Sequence, residues 1–210
     1  SDQKQKLMNQ VNGYDQDPMH IHDNKPPFLF WNQYYPNFYV KKLLKIVNNQ
    51  QFEKSNTIDP NLTDTLRQSK SFQYTGPAWE NADLRLIFLE TLDIITWANS
   101  IYNFDINMKE HQVQLTKYSD CGSHYSWHSD SEFDFRNDSP SFNKRKLSCT
   151  IVLQEADEGG ILQTKYGTEG FDQRAGSILV FPSHYSHQVT PVLKGERISI
   201  VSWTSGPEWK

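Results

Sequence analysis

The chain has 210 residues, a formal net charge of -4 and 22% charged side chains. That length suits one sizeable domain, and 6 Trp, 10 Tyr and 12 Phe supply ample material for a core. No window approaches the roughly 18 apolar residues of a membrane span, no cluster of Lys and Arg marks a nucleic-acid face, and two cysteines, Cys121 and Cys149, are too few for a disulfide framework.

Reduced thiols and the lack of an apolar leader point to a cytoplasmic protein, with neither membrane nor nucleic acid as partner. Residues 1–25 are polar throughout and read as a flexible arm. The histidines of "MHIHD" at 19–23 belong to that arm and read as tail, not as a metal site. Residues 26–210 read as a single domain.

After Pro36, "NFYVKKLLKIVNNQQFEK" places Val40, Leu43, Leu44 and Val47 at three- and four-residue spacing, an amphipathic helix. "LRQSKSFQYT" reads as a strand. A second helix follows, with Asp83 as cap and Leu84, Ile87, Phe88, Ile94, Ile95, Ala98 and Ile101 forming its apolar side. From Tyr102 onward the period changes to two. Short strands are expected at "HQVQLTKYS", "KLSCTIVLQ", "GSILVFP" and "RISIVSW", separated by "DEGG", "YGTEG", "RAG" and "PVLKGE". The expected fold is mainly β (α+β): a jelly roll, or double-stranded β-helix of cupin-like form, over 103–205, buttressed by helical support over 36–102.

"HYSWHSDSEFD" at 124–134 carries the chemistry. Alternate residues of a strand share a face, so His128 and Asp130 can chelate together. His124, four residues before His128, lies about 13 Å away at the usual strand rise and falls outside such a site. A third ligand must come from "FPSHYSHQVTPV", as His184 or His187. Three features favour His187: the apolar strand ending before it, its "H-x-V-x-P-V" context, and Arg197 ten residues beyond it. Two imidazoles and one carboxylate with open positions suit non-haem Fe(II), whereas zinc prefers a closed tetrahedron or cysteines. A hairpin would set Arg197 beside the His187 strand, where its planar fork suits a carboxylate. Cys149 reads as a small core residue.

Taken together, "Y-x-x-H-x-D" at 125–130, "GG" at 159–160, "AGSILVFPS" at 175–183 and "H-x-V-x-P-V…G-x-R" at 187–197 resemble the Fe(II)/2-oxoglutarate dioxygenases, most of all the prolyl 4-hydroxylases and their single-domain bacterial and viral relatives. The resemblance spans about residues 26–205 and is strongest in the last hundred. It implies that His128, Asp130 and His187 ligate Fe(II) and that Arg197 holds the far carboxylate of 2-oxoglutarate. Tyr118 would donate to the same carboxylate, with a one-residue insertion or bulge near "DCGS" to accommodate its spacing. Trp203 would line the cavity, and Tyr125, Arg145 and Trp127 would grip the substrate. Arg67 and Ser69 resemble the short strand opening the family's core. Leu162 departs from the pattern, standing where prolyl 4-hydroxylases often carry a threonine that contacts 2-oxoglutarate.

The implied activity is Fe(II)-, O2- and 2-oxoglutarate-dependent hydroxylation of prolyl residues in a peptide or protein, releasing succinate and CO2, with ascorbate supportive. The same chemistry on another residue or a free amino acid stays open, as do a non-catalytic jelly-roll binding module and a structural particle protein. The polar loop 131–144, directly after the ligand pair, is a candidate lid.

Overall fold

The computed structural model describes residues 25–55, 66–76, 80–131 and 144–207. The N-terminal arm and nearly all of the expected lid fall outside these residues.

Helix α1 spans Asn37–Asn48. Pro36 precedes it in the extended region, where its fixed φ and missing N–H suit a helix start. Val40, Leu43, Ile46 and Val47 form its buried stripe. The helix stops well short of the "QQFEK" end of the periodic stretch, because Glu53–Lys54 pair as strand β2 with β4, Lys70–Thr75.

Helix α2 spans Ala82–Tyr102. Its cap is Asn81, not Asp83: the Asn81 Oδ1 atom accepts from the backbone N–H groups of Asp83 and Leu84, each at 3.0 Å. Asp83 instead sits in the first turn, where its charge complements the helix dipole. Asn103 ends the helix in the left-handed conformation at φ 54°.

Among the described residues the strands, numbered along the chain, form two facing sheets and a separate pair. The major sheet has seven, in the order β1 (Leu29–Trp31), β10 (Ile178–Pro182), β7 (Lys144–Gln154), β13 (Arg197–Gly206), β5 (Asn107–Tyr118), β4 and β2. The minor sheet orders β3 (Arg67–Gln68), β6 (His124–His128), β11 (His187–Val189) and β9 (Leu162–Thr164). A separate pair joins β12 (Val192–Lys194) to β8 (Glu158–Gly159). "LRQSKSFQYT" is thus two strands, one in each facing sheet. The mainly β fold with supporting helices agrees with the sequence reading, although β5, β7 and β13 are long, at 12, 11 and 10 residues.

That length has a purpose readable in the alternation of the three central strands. Val113 and Leu115, Leu147, Cys149 and Ile151, and Ile198 and Ile200 point to the helix side and join one buried cluster with α1 and α2. Burying each such side chain contributes roughly 1.5–3 kcal/mol. The intervening Gln114, Thr116 and Tyr118, Ser148 and Thr150, and Arg197, Ser199 and Trp203 face the minor sheet. The molecule therefore has an apolar core behind the major sheet and a polar-lined space in front of it.

Arg197 reaches that space differently from the hairpin reading. Strand β13 pairs with β5 and β7, not with β11, so Arg197 approaches from the sheet facing His187. The hairpin expected after His187 is taken up by β12, which pairs with β8 instead. Gly159 makes that pairing possible: its φ is +77°, and a Cβ there would collide with the Pro191 carbonyl oxygen.

Candidate active site

A cavity of about 220 Å³ opens between the two sheets. Strand β6 enters it with a bulge: His187 stands opposite His128, but Val189 stands opposite Tyr125, so β6 carries one extra residue across that interval. The bulge breaks alternation and turns both Tyr125 and His128 inward. Their rings stack at a centroid distance of 3.4 Å and 12° between planes. Arg67 covers the other side, its guanidinium carbon 4.6 Å from the Tyr125 centroid. Trp127 is pushed outward, 41% exposed, with the Lys165 ammonium 5.0 Å from its ring centroid. It lies away from the cavity wall that Tyr125 and Arg145 form.

Asp130 is not on the strand with His128. It follows the end of β6, and the N–H groups of Asp130 and Ser131 both donate to the Ser183 carbonyl at 3.0 Å. This anchor brings its carboxylate between the two imidazoles. Oδ1 lies 3.7 Å from His128 Nε2 and Oδ2 3.5 Å from His187 Nε2, and one donor atom from each residue lies within 4.8 Å of the others. His184 packs edge-on against Tyr185 instead, and His124 Nδ1 pairs with the Gly122 carbonyl.

Hydrogen bonds fix how the triad presents itself. His128 Nδ1 is 2.8 Å from the Ser126 carbonyl and His187 Nδ1 is 2.9 Å from the Tyr185 carbonyl. A carbonyl only accepts, so each Nδ1 carries a proton and Nε2 is the atom each ring turns toward Asp130. Ser148 donates to Asp130 Oδ2 at 2.7 Å and lies 2.9 Å from Ser183 Oγ. Burial, reinforced by the His187 charge, pushes His128 below its usual pKa and keeps it neutral. Burial opposes ionisation of Asp130, but His187, His128 and Arg145 outweigh it and hold the carboxyl below its usual range. A metal requires ligands without their protons, and a neutral His128 and an ionised Asp130 meet that need. Two nitrogens and one oxygen with the cavity side open fit Fe(II).

Arg197 faces this triad across the cavity. It is 1% exposed, and among the described residues its Nε has no hydrogen-bond partner. A buried guanidinium with an orphaned donor is costly unless an anion completes it, so a carboxylate ligand fits here. Tyr118 stands directly opposite Arg197 in the β5–β13 register. Burial raises its pKa against the opposing pull of Arg67 and Arg197, so the phenol keeps its proton and can donate. Leu162 lines the same cavity, 3% exposed. Arg145 lies over Trp203, its guanidinium carbon 3.9 Å from the ring centroid.

Arg67 lines the cavity although its sequence neighbourhood marks it only as part of a strand. Ser148 and Ser183 also belong to the site. Ser148 was legible in part, because in "KLSCTIVL" the polar Ser148 and Thr150 alternate with Leu147, Cys149 and Ile151. Nothing in the sequence links Ser183 to Asp130.

Comparison with known proteins accords with this geometry. Residues 113–205 match the model of the 2OG-Fe(II) oxygenase superfamily. A PKHD-type hydroxylase from Synechococcus sp. (strain CC9605) is 33% identical over 129 residues, covering 59% of this chain and 55% of the relative. The chain thus spans about half the length of that curated relative, and less of others it matches. In fold, it is similar to a Pseudomonas putida prolyl-4-hydroxylase, with TM-score 0.65, 18% identity, and coverage of 87% of this chain and 94% of the other. A Trichoplax adhaerens prolyl hydroxylase, solved with a hypoxia inducible factor peptide fragment, gives TM-score 0.67 at 18% identity, covering 97% and 92%. Residues 113–205 are thus similar to the 2OG-Fe(II) oxygenase superfamily, and the fold of the chain is similar to that of prolyl hydroxylases.

Proposed function

We propose that this protein is an Fe(II)- and 2-oxoglutarate-dependent dioxygenase that hydroxylates prolyl residues of a peptide or protein. One observation carries the reading. The His128–Asp130–His187 triad and the orphaned Nε of buried Arg197 face one cavity, so a metal and a dicarboxylate each find their chemical complement.

Nε2 of His128, Nε2 of His187 and a carboxylate oxygen of Asp130 would hold the iron. With 2-oxoglutarate and O2, bound iron supplies the oxidant for C–H hydroxylation, and succinate and CO2 leave. Arg197 and Tyr118 would bind and orient the far carboxylate, the first by a charged fork and the second by a neutral O–H. Leu162, Phe181 and Val189 would exclude water from one side of the co-substrate. Tyr125 and Arg145 line the cavity and support a peptide as substrate. The prolyl preference rests on the fold's likeness to prolyl hydroxylases. Trp127, turned to the outer surface, has no part in this reading. No described helix is long and apolar enough to cross a membrane.

The test is mass spectrometry of proline-rich peptides incubated with protein, Fe(II), ascorbate and 2-oxoglutarate. A gain of one oxygen on proline with matching succinate is the expected result. Succinate without peptide oxidation points to another substrate. No succinate under any condition, with iron and 2-oxoglutarate demonstrably bound, leaves a binding module.

A further inference from the structure

Arg145 should not face the cavity at all. On β7, Leu147 and Cys149 point to the helix-side core, and strict alternation would send Arg145 with them. The register slips here: Thr204 stands opposite Leu147 but Ser205 stands opposite Arg145, which leaves Lys146 as an extra residue. That bulge rotates Arg145 to the cavity side.

From there the side chain crosses the neighbouring strand. Its guanidinium lies on the Trp203 indole of β13. Beyond Trp203, Nη2 donates to Gln112 Oε1 of β5 at 3.0 Å. Gln112 is the residue directly opposite Trp203 in the β5–β13 register. Three adjacent strands therefore each contribute one part: β7 the arm, β13 the bed, and β5 the far tether.

We propose that Gln112 is the positioning residue that sets the orientation of Arg145 toward substrate. Stacking alone leaves a guanidinium free to turn in the plane of the ring, because a cation over a π face has no preferred rotation about the ring normal. A single acceptor at one Nη removes that freedom. It directs the remaining N–H edge into the cavity that Arg145 lines with Asp130 and Tyr125. The choice of a carboxamide matters as well. A neutral tether orients the fork but leaves its positive charge available, so the edge can bind a main-chain carbonyl or carboxylate of a substrate peptide.

This inference rests on the hydroxylase reading only for its substrate half. The test therefore has two readouts, applied to Gln112→Leu, which removes the acceptor, and Gln112→Glu, which keeps it. The first is side-chain nitrogen NMR of Arg145 in the protein without peptide. Restricted Nη groups are expected in wild type and Gln112→Glu, and rotationally averaged ones in Gln112→Leu. Identical Arg145 signals in wild type and Gln112→Leu overturn the proposal whatever the activity. Gln112→Ala serves as the acceptor-free variant should leucine crowd the fold.

The second readout is turnover of a synthetic proline-rich peptide. Gln112→Leu should raise the peptide KM about tenfold, the effect of one lost oriented hydrogen bond, while kcat, iron binding and peptide-independent 2-oxoglutarate consumption hold. An unchanged KM with a loosened Arg145 overturns the substrate half. If wild type oxidises no proline peptide yet Gln112→Leu loosens Arg145, the prolyl reading fails and the positioning role of Gln112 stands.

Discussion

Ser148, on the major sheet, donates a 2.7 Å hydrogen bond to Asp130 Oδ2. The carboxylate is thereby held from two sides, with the Ser183 carbonyl fixing its backbone and the Ser148 hydroxyl fixing one oxygen. The oxygen so held also faces His187 Nε2. Partners of this kind orient a ligand before the metal arrives.

Ser148→Ala should therefore weaken Fe(II) or Co(II) affinity about 10- to 100-fold, with an unchanged circular dichroism spectrum. Ser148→Thr, which keeps the hydroxyl, should bind within a few-fold of wild type. Chelator competition measures both. Equal affinities for wild type and Ser148→Ala would remove the serine from this role.

Arg197 separates function from stability. Among the described residues its buried guanidinium has no partner at Nε, so in the empty protein it is an electrostatic cost. Arg197→Met, similar in length and apolar, should leave the ligand-free melting temperature unchanged or higher. The same change should weaken 2-oxoglutarate binding by about 2–5 kcal/mol, the scale of a buried charge left without its ion partner. Titration of 2-oxoglutarate against the metal-loaded variant and a thermal melt of the empty one decide the matter. A large drop in the empty protein's melting temperature would give Arg197 a structural role instead.

What the sequence carried was spacing and period. His187 and Arg197 stand ten residues apart, and polar and apolar residues alternate through "HQVQLTKYS", so the candidate triad and the two faces of β5 are legible. What it did not carry was departures from period. The bulge in β6 brings Tyr125 and His128 to one side, and the bulge at Lys146 turns Arg145 inward. Each inserts a single residue whose effect depends on the strand opposite. Spacing alone puts Asp130 on a strand with His128, whereas a contact with Ser183, 53 residues away in the chain, places it. The N-cap falls on Asn81, two residues before Asp83, because both are competent caps by composition and local sequence does not choose between them.

Glu90 on α2 joins the two helices to the first strand region. Its Oε2 accepts from Tyr35 at 2.7 Å and its Oε1 from Tyr39 at 2.6 Å. Burial and this carboxylate push both phenols above their usual pKa, so each remains a donor throughout the physiological range. Glu90→Gln keeps one acceptor, turns the other into a donor facing a hydroxyl, and removes the charge. It should cost about 1–3 kcal/mol in urea unfolding, more than Tyr39→Phe, which deletes only the more exposed bond. The reverse order would show that the tyrosine packing, not the carboxylate, makes the joint.

His111 should make the fold acid-sensitive. It is fully buried between α2 and β13, with Nε2 2.9 Å from Thr91 Oγ1 and Nδ1 2.8 Å from Thr204 Oγ1. Thr91 already donates its one hydroxyl proton to the carbonyls of Ile87 and Phe88, so His111 Nε2 must be the donor to it. Nδ1 then accepts from Thr204, and the imidazole is neutral and saturated. Burial lowers its pKa from 6.5 to about 4. Between those values the unfolded chain binds a proton that the folded protein refuses, so stability rises with pH across that window. The contribution is complete above pH 6.5, is lost as pH falls toward 4, and changes no further below that. Its full span is about 3 kcal/mol. His111→Gln cannot titrate, so the stability difference between wild type and variant should shrink, in favour of the variant, from pH 7 to 4.5. Urea midpoints measured at several pH values read the two slopes, and parallel slopes would mean that His111 is not the proton-linked group.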